Sequence, residues 1–467
     1  MATYDLDRTE FNHLLTPNID PGARAAVIDY LLKNGDFDDD DHGHNHRDGS
    51  SHGDRDFFGG DHGRHDSDPT VKVEISDGTL PLDPTAQVLD LTSASNTVTT
   101  DAALKVIVEN VASDANLTVH GDNDVMIVTG DGNDHVTLHD SGNDIVLAGS
   151  GHDVIRGGDG ADSIYGGKGD DHLIAGTGDH QLLSGGAGSD TLTGGDGSHD
   201  SLYGGSGSDH LHAGDGDNQL LVGGSGSDTL TGGDGSHDSL YGGAGSDHLQ
   251  AGNGDNQLLV GGSGSDTLTG GDGSHDSLYG GSGSDHLHAG DGDNQLLVAG
   301  SGNDTLTGGD GSHDSLYGGS GSDHLHAGDG DHQLLAGGDG SDTLFGGDGN
   351  YDTLMGGNGN DVMHGGSGLH QLLDGGSGSD TMYAGTGGDT LNGGAGNDLF
   401  HIDSTHGNDT IDGGAGHNTV DFDKQSLSDV ASLHTTGGET VIHFTDGQVV
   451  TLSHVDTLVF ADKTEHV

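Results

Sequence analysis

From about Asp122 to Asn418 the hydrophobic positions follow a short, regular beat. One apolar residue, usually Leu, sits between two flanking residues, and a polar glycine-rich turn follows before the next one. The stretch Gly194–Thr231 reads GGDGSHDSLY, GGSGSDHLH, AGDGDNQLLV, GGSGSDTLT, in units of 10, 9, 10 and 9 residues, and it returns almost unchanged from Gly232 and again from Gly270. Three residues with alternating sides predict a minimal strand whose centre points inward. A fixed period of this kind is the signature of a repeat architecture rather than a single compact core. Outside it, VKVEISDG, AQVLDLTS, LKVIVENV and LTVHG alternate apolar and polar residues over 70–120 and predict strands that begin and shield the stack. ETVIHFTDG, QVVTLSHV and DTLVFAD do the same over 419–467, which reads as a C-terminal β cap. Residues 1–35 predict a small helical segment: a short helix from about Asp7 to Leu15, then Asp20 as cap, Pro21 at the first turn, Ala25, Val27, Ile28, Leu31 and Leu32 on one face, and Asn34-Gly35 as stop. Residues 36–69 are polar and of low complexity, a disordered linker by composition.

Composition sharpens this picture. Of 467 residues 94 are Gly and only 29% are hydrophobic, and 78 acidic against 12 basic residues leave a formal charge of −66. Nucleic acid and membrane insertion are poor partners for such a polyanion. The natural counter-charge is a hard cation bound by oxygen ligands. There is no Cys, hence no disulfide or thiolate site. The linker histidines His42, His44, His46, His52, His62 and His65 read as a solvated spacer, with loose zinc or nickel binding as the alternative. An EF-hand reading fails there because Gly49 stands where the bidentate Glu belongs.

The unit GGxGxDxUx, in more than twenty tandem copies, resembles the RTX family of calcium-binding repeat proteins. The resemblance implies an all-β fold, a right-handed parallel β-roll or β-helix solenoid, over 121–418, with calcium ions held between turns of neighbouring rungs by the Asp and by backbone carbonyls. Two units form a rung, so a 10 + 9 alternation gives rungs of 19 residues. Asp171, Asp190, Asp209, Asp228, Asp247, Asp266, Asp285, Asp304, Asp323, Asp342, Asp361 and Asp380 follow one another at that spacing and form a regular edge. Together with Asp134, Asp144, Asp153, Asp162, Asp389 and Asp398 they are the expected calcium ligands. The ten-residue edge departs from the pattern. Its column alternates Gln181, Asp200, Gln219, Asp238, Gln257, Asp276 and onward to Gln371, and the extra residue just before it is His, Asn or Tyr. An amide carries no charge, so a full calcium row is not expected there, although Asp196, Asp215, Asp217 and their repeats offer substitute ligands.

The outward positions differ between the two strands of a rung. One shows TLT or HLH and is polar. The other alternates SLY with LLV, so that Tyr203, Leu220, Val222, Tyr241, Leu258, Val260, Tyr279, Leu296, Val298 and Tyr317 line up as an apolar stripe roughly 40 Å long. Exposed stripes of that size have a use. Self-association as a homodimer or fibre is the expected one, with cover by the cap or the N-terminal helices as the alternative.

These readings lead to a secreted calcium-binding structural protein that folds outside the cell and assembles into a surface layer, matrix or filament. An ice-binding or adhesin module is the alternative, weakened because TLT recurs only on every second rung. No catalytic motif such as HExxH or GxSxG is present, and no enzymatic activity is expected. MATYDLDRTEFNHLL has neither the basic nor the apolar region of a secretory signal. The resemblance instead implies a type I secretion apparatus as partner, reading a C-terminal signal in the tail DTLVFADKTEHV.

Overall fold

The computed structural model describes the backbone of the strands Ala2–Leu6 and Val71–Ser76, and residues 87–100, 104–109, 113–402, 407–422 and 424–466. It is an all-β parallel β-solenoid, as the period of the inward leucines requires. The chain forms two compact units, residues 1–178 and 179–467.

In the first unit, Ala2–Leu6 runs antiparallel to Val71–Ser76, which pairs in parallel with Val88–Leu91. This strand lies ahead of the first helix expected in 1–35, which starts at about Asp7. Pairing on a neighbouring strand satisfies the backbone of these five residues. The helices expected from Asp7 and Pro21 and the linker 36–69 lie outside the described residues. The parallel series continues through Val106–Glu109, Met126–Val128, Ile145–Ser150 and Ser163–Lys168. A second series runs Ser95–Thr99, Asn116–His120, His135–His139, Val154–Arg156 and His172–Ile174. Val136, Ile155 and Leu173 stack inside one series and Ile127, Val146 and Ile164 inside the other, all fully buried.

In the second unit six-residue strands such as Leu220–Ser225 alternate with three-residue strands such as Thr229–Thr231. Each long strand pairs with the next long strand and each short with the next short, at 19-residue register: Leu221↔Leu240 and Leu230↔Leu249. Two inward leucines per rung make most of the core, and every one from Leu183 to Leu354 is fully buried. So thin a core leaves much of the cost of ordering the glycine-rich turns to be met by the turns themselves. Near the end Phe422 packs on Phe444 and Phe460 at ring-centroid distances of 5.3 and 5.1 Å. The antiparallel hairpin Val430–Thr436 with Glu439–Phe444 then turns the chain back, and Val449–Ser453 returns parallel to Thr410–Asp412. Antiparallel pairing and a phenylalanine plug end the parallel stack with its edge covered.

Candidate metal centre

The turns between strands are built by glycines that no other residue replaces without strain. Gly224 has φ +114°, and a Cβ there would lie 2.1 Å from the Gly205 carbonyl oxygen of the preceding rung. Such turns bring the backbone of successive rungs close and leave the Asp that follows pointing inward.

Each Asp of the regular edge is buried, at most 3% exposed. In the second unit one carboxylate oxygen, Oδ1, accepts the backbone N–H of the equivalent Asp one rung back. Asp209 N–H donates to Asp228 Oδ1 at 2.8 Å, Asp228 N–H to Asp247 Oδ1 at 2.8 Å, and the series runs from Asp190 to Asp398 before ending on Asn418. In the first unit Asp134 N–H donates to Asp153, Asp153 N–H to Asp171 and Asp144 N–H to Asp162. Oδ2 of Asp162 also accepts Gly158 N–H at 3.0 Å. The other oxygen is the informative one. Oδ2 of Asp209, Asp228, Asp247, Asp266, Asp285, Asp304, Asp323, Asp342, Asp361, Asp380 and Asp398 is buried and has no hydrogen-bond donor, and the same holds for Asp134, Asp144, Asp153 and Asp389.

That orphaned oxygen points into a definite space. A Cβ on Gly223 would lie 2.4 Å from Asp228 Oδ2 and 2.8 Å from the Gly242 carbonyl oxygen, and a Cβ on Gly242 would lie 2.5 Å from Asp247 Oδ2 and 2.7 Å from the Gly261 carbonyl oxygen. With no side chain on the glycine, the carboxylate oxygen and a carbonyl oxygen of the next rung approach each other closely there. A buried carboxylate without a donor is costly unless it takes a proton or a cation. Desolvation accordingly pushes Asp209, Asp247, Asp285, Asp323, Asp361 and Asp380 up to about 6, Asp153 and Asp389 to about 7, and raises Asp228, Asp266, Asp304, Asp342 and Asp398 as well. Asp171 rises to about 6 and Asp162 rises for the same cause. Among the described residues no three His, Cys, Asp or Glu side chains gather at one point. An ion here would be held by fewer than three carboxylates and completed by backbone carbonyls, an oxygen-only donor set that suits calcium. When bound, calcium supplies the positive charge that the buried oxygens lack and ties consecutive turns together.

Sequence reasoning missed buried acidic groups, Glu109 and Asp140 among them. Asp140 lies outside the repeat's Asp position, yet it is 8% exposed with both carboxylate oxygens lacking a donor. Burial and the charge of Asp162 push it up to about 6, and burial pushes its neighbour Asp144 to about 8. Only its place beside the two repeat aspartates marks it, and that requires the register of the rungs.

On the ten-residue edge the extra residue takes a left-handed backbone. His180, His199, Asn218, His237 and their successors to His370 have φ between +61° and +68°. Asn and His tolerate that conformation better than most residues, which accounts for their choice. Where rings are adjacent they stack: His180 on His199 at 4.9 Å and His313 on His332 at 5.0 Å. Asp196, Asp215 and Asp217 are exposed, and Asp215 and Asp217 accept backbone N–H groups of the next rung from Asp234 and Ser236, rather than aiming into the buried site.

The stripe residues share the outer face of the long strands in the second unit. Tyr203, Val222, Tyr241, Val260, Tyr279, Val298 and Tyr317 form one continuous column in register, and Leu220, Leu258 and Leu296 alternate with serines in the column beside it. Tyr203 and Tyr317 are 37% and 36% exposed and the others are half-buried.

Comparison with curated proteins finds no match. The family model of the RTX calcium-binding nonapeptide repeat matches twelve segments that together cover residues 140–173, 175–331, 336–368 and 374–425. With more than half of the chain matched and a buried oxygen column at the repeat's Asp position, the protein belongs to the RTX calcium-binding nonapeptide repeat family, whose repeats bind multiple calcium ions.

Proposed function

We propose that the protein is a secreted structural element that acquires its solenoid on meeting calcium outside the cell and then associates with further copies of itself as a layer, matrix or filament. The observation that carries the calcium-dependent folding is the column of buried carboxylate oxygens without donors. In a low-calcium compartment those carboxylates and the net charge of −66 oppose the fold, and extracellular calcium, with typical module affinities of about 10⁻⁴–10⁻³ M, relieves both. The usual secretion of repeat proteins of this family supports export, by a type I apparatus in this reading. Self-association is supported by the in-register Tyr/Val column, an apolar face on a polyanionic chain. A structural role rather than catalysis is favoured because the repeat commits its carboxylates to the turns. Sedimentation velocity of the full chain tests this reading. Dimers or larger species in millimolar calcium, reverting to an expanded monomer in chelator, are expected. A compact monomer in both conditions overturns it.

A further inference from the structure

The ten-residue edge of the second unit holds two kinds of rung that differ at two positions together. In the Asp rungs the unit opens on glycine: Gly232 precedes Asp238 and Gly270 precedes Asp276. A Cβ on Gly232 would lie 3.2 Å from the Ala251 carbonyl oxygen and 3.4 Å from Asp238 Oδ2, and on Gly270 2.7 Å from the Ala289 carbonyl oxygen and 3.4 Å from Asp276 Oδ2. Both carboxylates are fully buried, and their Oδ2 atoms have no donor. This is the arrangement of the regular edge in a looser form.

In most of the Gln rungs the opening residue is alanine. Ala213, Ala251, Ala289 and Ala327 precede Gln219, Gln257, Gln295 and Gln333, and their methyl groups are fully buried where the Asp rungs leave room. The carboxamide then completes what a carboxylate leaves open. Gln257 Oε1 accepts the N–H of Asp238 at 2.8 Å, as an Asp Oδ1 does on the regular edge, while its Nε2 donates to the Gly235 carbonyl oxygen one turn back. Gln219 and Gln295 repeat both bonds with Asp200 and Gly197, and with Asp276 and Gly273. Gln371 repeats them with Gly365 in the alanine's place. A carboxylate has no N–H to give a carbonyl and must share it with a cation, whereas a primary amide carries its own donor.

We infer that each Gln carboxamide is a built-in substitute for a calcium ion, so that the ten-residue edge takes calcium only at its Asp rungs, every 38 residues, and fastens the rungs between without metal. The inference rests on the calcium-binding reading of the Asp rungs. It makes the two edges chemically unequal: one closes only with calcium, the other is half closed by the chain itself.

Native mass spectrometry of the full chain in calcium tests it by counting bound ions. The variant A251G/Q257D writes the Asp-rung sequence into a Gln rung and should bind one more calcium than the wild type. The reciprocal variant G232A/D238Q should bind one fewer and resist urea better in chelator. It copies what neighbouring rungs already contain, so it decides the matter if the first variant does not fold. A wild type that binds many calcium ions with an unchanged count in the variants overturns the inference alone. A wild type that binds none overturns the calcium reading and the inference with it.

Discussion

Replacing Asp247 by Asn isolates the cost of a metal-free carboxylate from its benefit when metal is present. The side chain is 3% exposed, its Oδ1 accepts Asp228 N–H at 2.8 Å, and its Oδ2 has no donor. Asn keeps the first bond and exchanges the orphaned oxygen for an N–H₂ group facing the space that the Gly261 carbonyl oxygen also lines. Burial raises the Asp247 pKa from its ordinary 3.8 to about 6. At about 1.4 kcal/mol for each tenfold change in proton affinity, keeping this group ionised above pH 7 costs about 3 kcal/mol, which the amide does not incur. Against that, one calcium site is lost, worth about 1.4 kcal/mol at ten times its Kd. Urea titrations followed by circular dichroism at pH 8 read both. In chelator the variant should be the more resistant protein, and the gain in resistance on adding calcium should be smaller than in the wild type. A variant weaker than the wild type in chelator would mean that the carboxylate is well satisfied without metal, and the reasoning fails.

Other consequences are equally open to test. Without calcium, buried carboxylates whose folded pKa is raised, such as Asp238 and Asp276 at about 7 and Asp209 at about 6, favour the fold fully below the unfolded value of 3.8 and lose that contribution as pH rises through about 6–7; strand content in chelator should therefore increase on acidification from pH 8 to pH 4. In calcium the dependence reverses, because protons compete for the same oxygens, and the calcium midpoint should rise as pH falls below 7. Leu259→Ala removes a fully buried rung side chain and should cost about 2–5 kcal/mol of calcium-loaded stability, read as a lower urea midpoint. Gly224→Ala, with its Cβ 2.1 Å from the Gly205 carbonyl oxygen, should disrupt the local stacking and lower the melting temperature further than Gly437→Ala, where nothing lies within 4 Å.

Much of the fold was legible because the solenoid is quasi-one-dimensional. A Leu at fixed spacing names its own neighbours, so Leu221 on Leu240 and Asp228 beside Asp247 followed from the period alone. The same holds for the apolar column, since Tyr241 beside Val260 needs only the register. What was not legible depends on atoms that a period does not specify. The aspartates were read as metal ligands, but not as acceptors of the N–H of the preceding rung through Oδ1. The glutamines were read as weakened ligands, whereas Gln257 turns its amide onto the Gly235 backbone carbonyl one turn back. The His/Asn column was read only as an extra residue in each unit, and its cause, a left-handed backbone that these residues tolerate, lies in a dihedral angle. The strand Ala2–Leu6 was not legible, because its pairing with Val71–Ser76 is a long-range contact that no local pattern announces.

The central claim is most directly tested by titrating the chelated full-length chain with calcium while recording circular dichroism and bound ions together. A cooperative rise in strand signal, tracking the uptake of many ions, is the expected result. Full strand content already present in chelator, unchanged as calcium is added, would contradict it.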